Sequence, residues 1–135
     1  MKRKTSRLGR GLIMKKKVYI CAPLGGDIEG NVQKAVRYAR FALKSGVAPV
    51  VPHFYALCLN DDIPKERELG RQAGMSLLWF CDEMWVFGDR ITEGMQAEIL
   101  FCKNMKIKTR KIKESEIKKL IGEDENEKAI LEIGY

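Results

Sequence analysis

Short apolar runs and amphipathic segments alternate along the chain, and this alternation restricts the possible folds more than any other feature. Residues 18–21, 47–52 and 84–87 are β-rich and mostly apolar, and a weaker, charged run follows at residues 105–112. Segments with helical periodicity separate these runs. Because strand, helix and strand in succession form a parallel pair with the helix on one face, the order predicts an α/β fold. We expect a three-layer αβα, flavodoxin- or Rossmann-like architecture around a parallel sheet of about 4–5 strands.

The predicted helices have recognisable first residues and apolar stripes. Asn31 is predicted to be the N-cap of the first helix. Pro64 fits the first turn of the second helix, and Thr92 fits the N-cap of the third. A short amphipathic helix is predicted around Ile117. The second helix is predicted to pack through one apolar stripe, formed by Leu69, Ala73, Leu77 and Phe80.

Charge divides the chain into three parts. Of the 25 Lys and Arg residues, eight lie within residues 1–17, which contain no acidic residue, so the net charge of +7 belongs to this end. We predict a basic, disordered leader at 1–16, one domain at 17–122 and an acidic tail at 123–135. A basic leader can bind nucleic acid in a salt-dependent way. However, no aromatic residue is interleaved for base stacking, and nucleic acid is not an expected partner.

Composition and short motifs exclude several classes of protein. The 4 cysteines are widely spaced without a C-x-x-C pair, which favours free thiols in a reducing cytoplasm over disulfides or zinc ligands. His53 is the only histidine, so no metal site is expected. No apolar run approaches the roughly 20 residues that cross a bilayer, and no membrane partner is expected. Neither G-x-G-x-x-G nor a P-loop pattern occurs, and no cofactor is predicted.

The loops that follow the predicted strands are where a ligand should bind. In parallel α/β sheets, ligands bind beyond the carboxyl ends of the strands, and adjacent glycines before a helix suit an anion. The glycines also fit a simple tight turn, and the histidine also fits a loop residue without a role. The residues predicted to bind substrate are Pro23, Gly25, Gly26 and Asp27 after the first strand, His53 after the second, and Asp89, Thr92, Gly94 and Met95 after the third.

Glu98 is the most informative single residue. At 100° per residue it falls in the apolar sector of its helix, near Met95 and Cys102. A buried carboxylate needs a partner or a shifted pKa. Held in a partly apolar cleft and oriented by a donor such as Tyr19, it can act as nucleophile or base. Pairing with an Arg or Lys, or exposure to solvent, is the alternative.

Two segments together resemble a known family. "VYICAPLGG" followed by "DEMWVFGDRITEGMQAEILFCKNMKI" resembles the nucleoside 2-deoxyribosyltransferase-like superfamily. That superfamily includes the 2′-deoxynucleoside 5′-phosphate N-hydrolases and a large bacterial and phage branch. The resemblance covers roughly residues 17–112. It implies the α/β fold already expected, a nucleoside or nucleotide ligand, and a homodimer or higher homo-oligomer with active sites near subunit interfaces.

The resemblance also implies roles for individual residues. Glu98 matches the nucleophile that attacks C1′ of the sugar, expels the base and forms a glycosyl-enzyme ester. Tyr19 matches a tyrosine of the first strand, and Thr92 matches a phosphate-binding serine. Gly25 and Gly26 match glycines of the first loop.

The chain departs from the family pattern at two places. Met75 and Gly74 stand where active relatives carry an Asp that handles the leaving base, and neither can transfer a proton. Gln96 stands where the N-hydrolases have a second glycine. Two functions are therefore weighed: an N-glycosidase or deoxyribosyltransferase that uses Glu98, and a non-catalytic nucleotide-binding module, a sensor or sponge, that uses the same cleft.

Overall fold

The computed structural model of this chain describes residues 7–8 and 12–122, with side chains from Met14 onwards. The predicted acidic tail lies outside the described residues, as does most of the predicted leader. Within the leader, strand β1 (Arg7–Leu8) pairs antiparallel with strand β2 (Leu12–Ile13). The three-part division of the chain therefore stays a prediction.

Four parallel strands form the central sheet, which confirms the predicted α/β fold. They are β3 (Lys17–Cys21), β4 (Ala48–Val50), β5 (Glu83–Val86) and β6 (Lys108–Lys111), in the spatial order β4-β3-β5-β6. The buried β-branched and aromatic residues of β3 and β5 suit the two central positions. The Lys- and Arg-rich β6 is exposed along its length and lies at an edge, as its charge predicts.

Helices cover both faces of this sheet. They are α1 (Ile28–Lys44), α2 (Pro64–Trp79), α3 (Glu93–Met105) and α4 (Glu114–Ile121), with a 3-10 helix at Pro52–Leu57. Pro64 opens α2 and Thr92 caps α3, as predicted. None of the described helices is long and apolar enough to cross a membrane.

The N-cap predicted for α1 is wrong. Asp27 caps this helix, and its carboxylate accepts a hydrogen bond from the Gly30 N–H at 3.1 Å. Asn31 lies one turn further along, where its side-chain amide donates to the carbonyls of Leu24 at 2.8 Å and Gly25 at 3.2 Å. Aspartate and asparagine are comparable caps, so cap preference alone does not decide between the two residues. In the structure the amide of Asn31 bonds the preceding loop, and Asp27 caps the helix.

Alternating residues of the strands feed two separate cores. Val18, Ile20, Trp85 and Phe87 face α1 and α4. On the opposite face, buried side chains from β3 and β5 pack against α2 and α3; they include Tyr19, Cys21, Met84 and Val86, with Leu78, Met95 and Cys102 from the helices. This alternation follows from the period of two in a strand, and it produces the three layers.

The predicted packing stripe of α2 is wrong. Leu69, Leu77 and Phe80 are 58%, 36% and 59% exposed, whereas Leu78 is fully buried. The helix instead turns Gly74 toward the sheet, where a Cβ atom would lie 3.0 Å from the Tyr19 hydroxyl oxygen. Close approach of the helix backbone to Tyr19 therefore sets the rotation of α2, and the larger apolar side chains point outward.

The strand order fixes where a ligand cleft can form. From β3 the chain crosses to β4 on one side and then returns to β5 on the other side. The connection after β3 and the connection after β5 run to opposite sides of the sheet, so they diverge at the carboxyl ends of these two strands. Such a switch point is the usual ligand site of open α/β sheets.

Candidate active site

A carboxylate and a phenol meet on the α2/α3 face of the sheet. Tyr19, in the middle of β3, is 1% exposed, and its hydroxyl donates a hydrogen bond to the Glu98 carboxylate. Glu98 lies in the second turn of α3 and is partly buried. The predicted position of Glu98 on the inner side of its helix is confirmed, and a phenol of the sheet, rather than a surrounding cation, is its hydrogen-bond partner among the described contacts.

Burial shapes the protonation of this pair. Desolvation raises the pKa of Glu98, and hydrogen bonds from Tyr19 and Cys21 oppose that rise. The pKa of Tyr19 is raised far above its ordinary value, first by desolvation and then by the charge of Glu98. Desolvation, reinforced by Glu98, also raises the pKa of the Cys21 thiol. Tyr19 and Cys21 therefore keep their protons and act as hydrogen-bond donors toward the Glu98 carboxylate.

A cleft of about 870 Å³ lies above this pair. Its volume falls within the range typical of small-molecule sites, roughly 300–1,000 Å³. It brings together most of the residues that the sequence predicted to be catalytic or to bind substrate. Those lining the cleft are Tyr19, Gly25, Gly26, His53, Thr92, Gly94, Met95 and Glu98.

Three residues predicted to contact substrate do not line this cleft. Asp27 is occupied as the N-cap of α1. Pro23 packs beneath Gly88, where a Cβ atom would lie 3.2 Å from the proline ring. Asp89 is exposed on the loop between β5 and α3. All three follow strands whose ends border the cleft, but their side chains serve the loops or face solvent.

His53 forms part of the wall between β3 and β4. It is 3% exposed, and its Nε2 lies 3.1 Å from the carbonyl oxygen of Ala22, while Nδ1 is buried without a hydrogen-bond partner among the described residues. Burial lowers the pKa of His53. A neutral ring with its proton on Nε2 fits these contacts, because the carbonyl accepts that proton. His53 therefore fixes the carboxyl end of β3.

The polar end of the cleft is made of a loop and a helix start. Gly26 has φ +93°, a backbone conformation that favours glycine. Thr92 Oγ1 accepts the Met95 N–H at 3.2 Å. Arg90 reaches across to the Gly25 carbonyl at 3.5 Å. The two loops that end β3 and β5 thus come together over the switch point.

Sequence reasoning placed Gly74 and Met75 of α2 at the site, and it missed the rest of the wall that α2 contributes. Arg67, Glu68 and Arg71 also line the cleft, as does Tyr55 of the 3-10 helix. Glu68 and Arg71 form an ion pair of 2.5 Å, and hydrogen bonding from Arg71 lowers the pKa of Glu68. The i,i+3 spacing of this pair was visible in the sequence, but its direction depended on the rotation of α2.

The described residues show no cluster suited to a metal ion. Between residues 14 and 122, no group of three or more His, Cys, Asp or Glu side chains is arranged to hold one. The cysteines at 21, 58, 81 and 102 are free thiols. Burial raises the pKa of Cys81 to about 12 and that of Cys102 to about 11, which keeps both thiols protonated.

The fold is similar to that of a solved 2-deoxyribosyltransferase. A solved structure of the 2-deoxyribosyltransferase from the psychrotolerant bacterium Bacillus psychrosaccharolyticus, a biocatalyst for nucleoside synthesis, superposes with a TM-score of 0.57. The alignment covers 77% of this chain and 81% of that one at 13% sequence identity. At this identity the likeness establishes the architecture alone.

The chain belongs to the family described as "Domain of unknown function (DUF7768)", whose model matches residues 16–112. The matched segment contains the four strands of the central sheet, α1 to α3 and the cleft. A search of curated proteins gives no match to this chain.

Proposed function

We propose that this protein is an N-glycosidase or deoxyribosyltransferase that acts on a nucleoside or nucleotide through a glycosyl-enzyme ester on Glu98. One observation carries the proposal: a partly buried carboxylate, hydrogen-bonded by the buried Tyr19, opens into a cleft at the switch point of a deoxyribosyltransferase-like fold. If Glu98 had only a structural role, an apolar residue or a carboxylate paired with a cation would serve at lower cost, because burying a carboxylate without a cation is unfavourable.

In the first step, a Glu98 oxygen attacks C1′ of the sugar while the C1′–N bond breaks. The transition state resembles an oxocarbenium ion, and an adjacent carboxylate stabilises that positive charge. Desolvation makes the carboxylate a stronger nucleophile. Tyr19 and Cys21 hold it in one orientation without neutralising it. Water or a second base then attacks C1′ and releases Glu98.

The polar end of the cleft would hold the sugar or its 5′-phosphate. Thr92 supplies a hydroxyl, and the loop with Gly25 and Gly26 supplies backbone next to the start of a helix. Backbone N–H groups and helix N-termini favour anions. The predicted substrate-binding roles of Thr92, Gly25 and Gly26 are proposed on this ground.

A non-catalytic nucleotide-binding module is the second candidate. The observation that favours it is the composition of the α2 wall, where Gly74 lies against the Tyr19 hydroxyl and Met75 lines the cleft. A side chain that cannot transfer a proton gives no general-acid assistance to a leaving base. In this candidate the same cleft binds its ligand without cleaving it.

Assembly into a homodimer or larger oligomer is part of the proposal. The outward face of α2 and the neighbouring part of α3 expose Leu69, Trp79, Phe80 and Leu100 by more than half of their surface. Exposed apolar patches of this kind mark interaction surfaces. A second copy seated there would cover the side of α2 opposite to Gly74.

The proposal is tested by trapping the ester. Intact protein is incubated with 2-fluoro-2-deoxy nucleosides and nucleotides and analysed by mass spectrometry. Fluorine destabilises the positive charge at C1′, so the ester should accumulate and map by peptide digestion to Glu98. The variant Glu98→Ala should form no adduct. Glu93→Ala is the matched control, since Glu93 is a carboxylate of the same helix that lines the same cleft.

An adduct on another residue would overturn the assignment of Glu98. The absence of any adduct, combined with a melting temperature raised by the same nucleotides, would favour the binding module, because a ligand that binds only the folded state stabilises it.

A further inference from the structure

The groups around Glu98 that hold protons are already committed. The Tyr19 hydroxyl donates its proton to Glu98, and the Cys21 thiol also bonds to that carboxylate. His53 uses its Nε2 for the Ala22 carbonyl, which leaves Nδ1 as an acceptor. In the described part of the cleft, the inner wall therefore contains no free donor that could protonate a leaving group.

The α2 wall supports the same conclusion. Gly74 stands directly over the Tyr19 hydroxyl, and Met75 is the next side chain of this wall. Glu68 lies earlier in α2, where its carboxylate accepts hydrogen bonds from Arg71 Nε at 2.9 Å and from Arg71 Nη2 at 2.5 Å. A carboxylate paired in this way with a guanidinium is ionised and has no proton to give.

The charges that line the cleft favour a cation. Arg71 is engaged by Glu68, and Arg90 points to the Gly25 carbonyl. Carboxylates outnumber guanidinium groups along the lining, and Tyr55 adds an aromatic ring that can contact a cation. The charged lining residues are Asp61, Glu66, Glu68, Glu93 and Glu98 against Arg67, Arg71 and Arg90.

We propose that the preferred substrates of this cleft are N-glycosides whose leaving group is a cationic ring, such as pyridinium ribosides and deoxyribosides. This inference rests on the proposed nucleophilic role of Glu98. It adds that neutral purine and pyrimidine nucleosides are poor substrates, because their departing nitrogen needs a proton that the inner wall does not supply.

The balance of the step explains the preference. A Glu98 oxygen forms a bond to C1′ while the bond from C1′ to the ring nitrogen breaks. The electron pair of the broken bond moves to that nitrogen and cancels its positive charge, so the ring leaves as a neutral molecule without receiving a proton. Water then attacks C1′, the C1′–oxygen bond to Glu98 breaks, and the proton of the water goes to solvent.

The test compares leaving groups on one sugar. The native chain is assayed with 1-(β-D-ribosyl)nicotinamide and its 2-deoxy analogue, and with adenosine, inosine and their 2-deoxy analogues. Release of the free ring is followed by chromatography. We expect kcat/KM to be at least 100-fold higher for the pyridinium compounds, in line with the roughly 10²–10⁴-fold contribution of a general acid that neutral bases would lack here.

A variant of the α2 wall makes the test sharper. Met75→Asp places an acid on the wall, and Met75→Asn is its matched control of similar shape without the proton. Met75→Asp should lower the ratio of pyridinium to purine kcat/KM at least tenfold, whereas Met75→Asn should leave the ratio unchanged. A folding defect would lower kcat/KM for both substrates together and leave their ratio unchanged, and urea unfolding of each variant measures such a defect. Purine release by Glu98→Ala shows whether cleavage depends on Glu98.

Each outcome separates this inference from the proposed function. Equal or faster cleavage of neutral nucleosides by the native chain would overturn the inference and leave the role of Glu98 standing. An ester trapped on Glu98 with a fluorinated neutral nucleoside, together with no cleavage of pyridinium compounds, would do the same. No ester and no cleavage of either class would overturn both.

Discussion

The two faces of the central sheet are built from different materials. The face covered by α1 and α4 is aromatic: Tyr38 stacks on Phe87 with ring centroids 4.5 Å apart, and Phe41 lies against both Phe87 and Trp85. The face covered by α2 and α3 is built from cysteine, methionine and the Tyr19–Glu98 pair. The cleft of about 870 Å³ opens on this second face, next to Tyr19 and Glu98.

This difference teaches where stability and chemistry lie in the molecule. Stacked and edge-on aromatic pairs bury large areas and hold the layers together. Sulfur-containing side chains are more adaptable, and they surround a carboxylate that costs free energy to bury. Changes on the aromatic face should therefore affect folding, whereas changes on the cleft face should affect activity with smaller effects on folding.

The largest expected effect is on the aromatic face. Phe87 is fully buried, and Phe87→Ala should lower the free energy of unfolding by about 3–5 kcal/mol, since it leaves a cavity and removes the stacked ring. Urea unfolding followed by circular dichroism measures this loss. Phe54→Ala is the control, because Phe54 is 61% exposed and its truncation should change stability little. Equal losses in the two variants would contradict the division between the faces.

A smaller effect is expected from Tyr19→Phe on the cleft face. The ring and its packing are kept, but Glu98 loses the hydrogen bond that orients it and favours its charged form. We expect kcat/KM to fall by roughly 10- to 100-fold, and the acid limb of the pH–rate profile to move to higher pH, because the pKa of Glu98 rises further. The measurement is kcat/KM from pH 4 to 9 on a substrate that the native chain cleaves. An unchanged acid limb would mean that Tyr19 does not tune Glu98.

The smallest expected effect is a pH dependence of stability. Burial raises the pKa of Glu98 above its unfolded value, about 4.3 for a free glutamate. Between the unfolded and the folded pKa the folded state binds more protons, so this group removes stability as pH rises through that window. Glu98→Gln abolishes the titration, and the stability of the variant relative to the native chain should increase with pH above about 4.

Urea unfolding at constant ionic strength from pH 4 to pH 8 measures that difference. Glu93→Gln alters an exposed carboxylate of the same helix. The free energy of unfolding of this variant relative to the native chain should not show the increase with pH that is expected for Glu98→Gln. A stability difference between Glu98→Gln and the native chain that is flat with pH would show that folding leaves the pKa of Glu98 near its free value.

Local sequence patterns were enough for the sheet and for the side of α3 on which Glu98 lies. The apolar runs of β3 and β5 and the charged run of β6 predicted both the strands and the edge position. Helical periodicity placed Glu98 among apolar residues, and Tyr19 of the first strand was one possible donor, with pairing to Arg or Lys as the alternative. These predictions depend on contacts within one element, or on the fixed alternation of a strand.

Tertiary contacts decided what the sequence did not reveal. The rotation of α2 follows from the approach of Gly74 to Tyr19, so neither the exposed Leu69 nor the Glu68–Arg71 wall of the cleft could be placed from periodicity. The cap of α1 could not be placed from the sequence either. Asn31 bonds the carbonyls of Leu24 and Gly25 through its amide, and Asp27 is the cap. A stripe of apolar residues indicates a face, but it does not say whether the sheet or another surface will cover it.

The contact between Gly74 and Tyr19 makes position 74 a control point for laboratory evolution. Only the thickness of a backbone separates this helix from the phenol that holds Glu98. A side chain at position 74 would displace the Tyr19 hydroxyl and thereby change the orientation of the Glu98 carboxylate. A library at this single position samples a graded set of site geometries while the identities of the reacting residues stay the same.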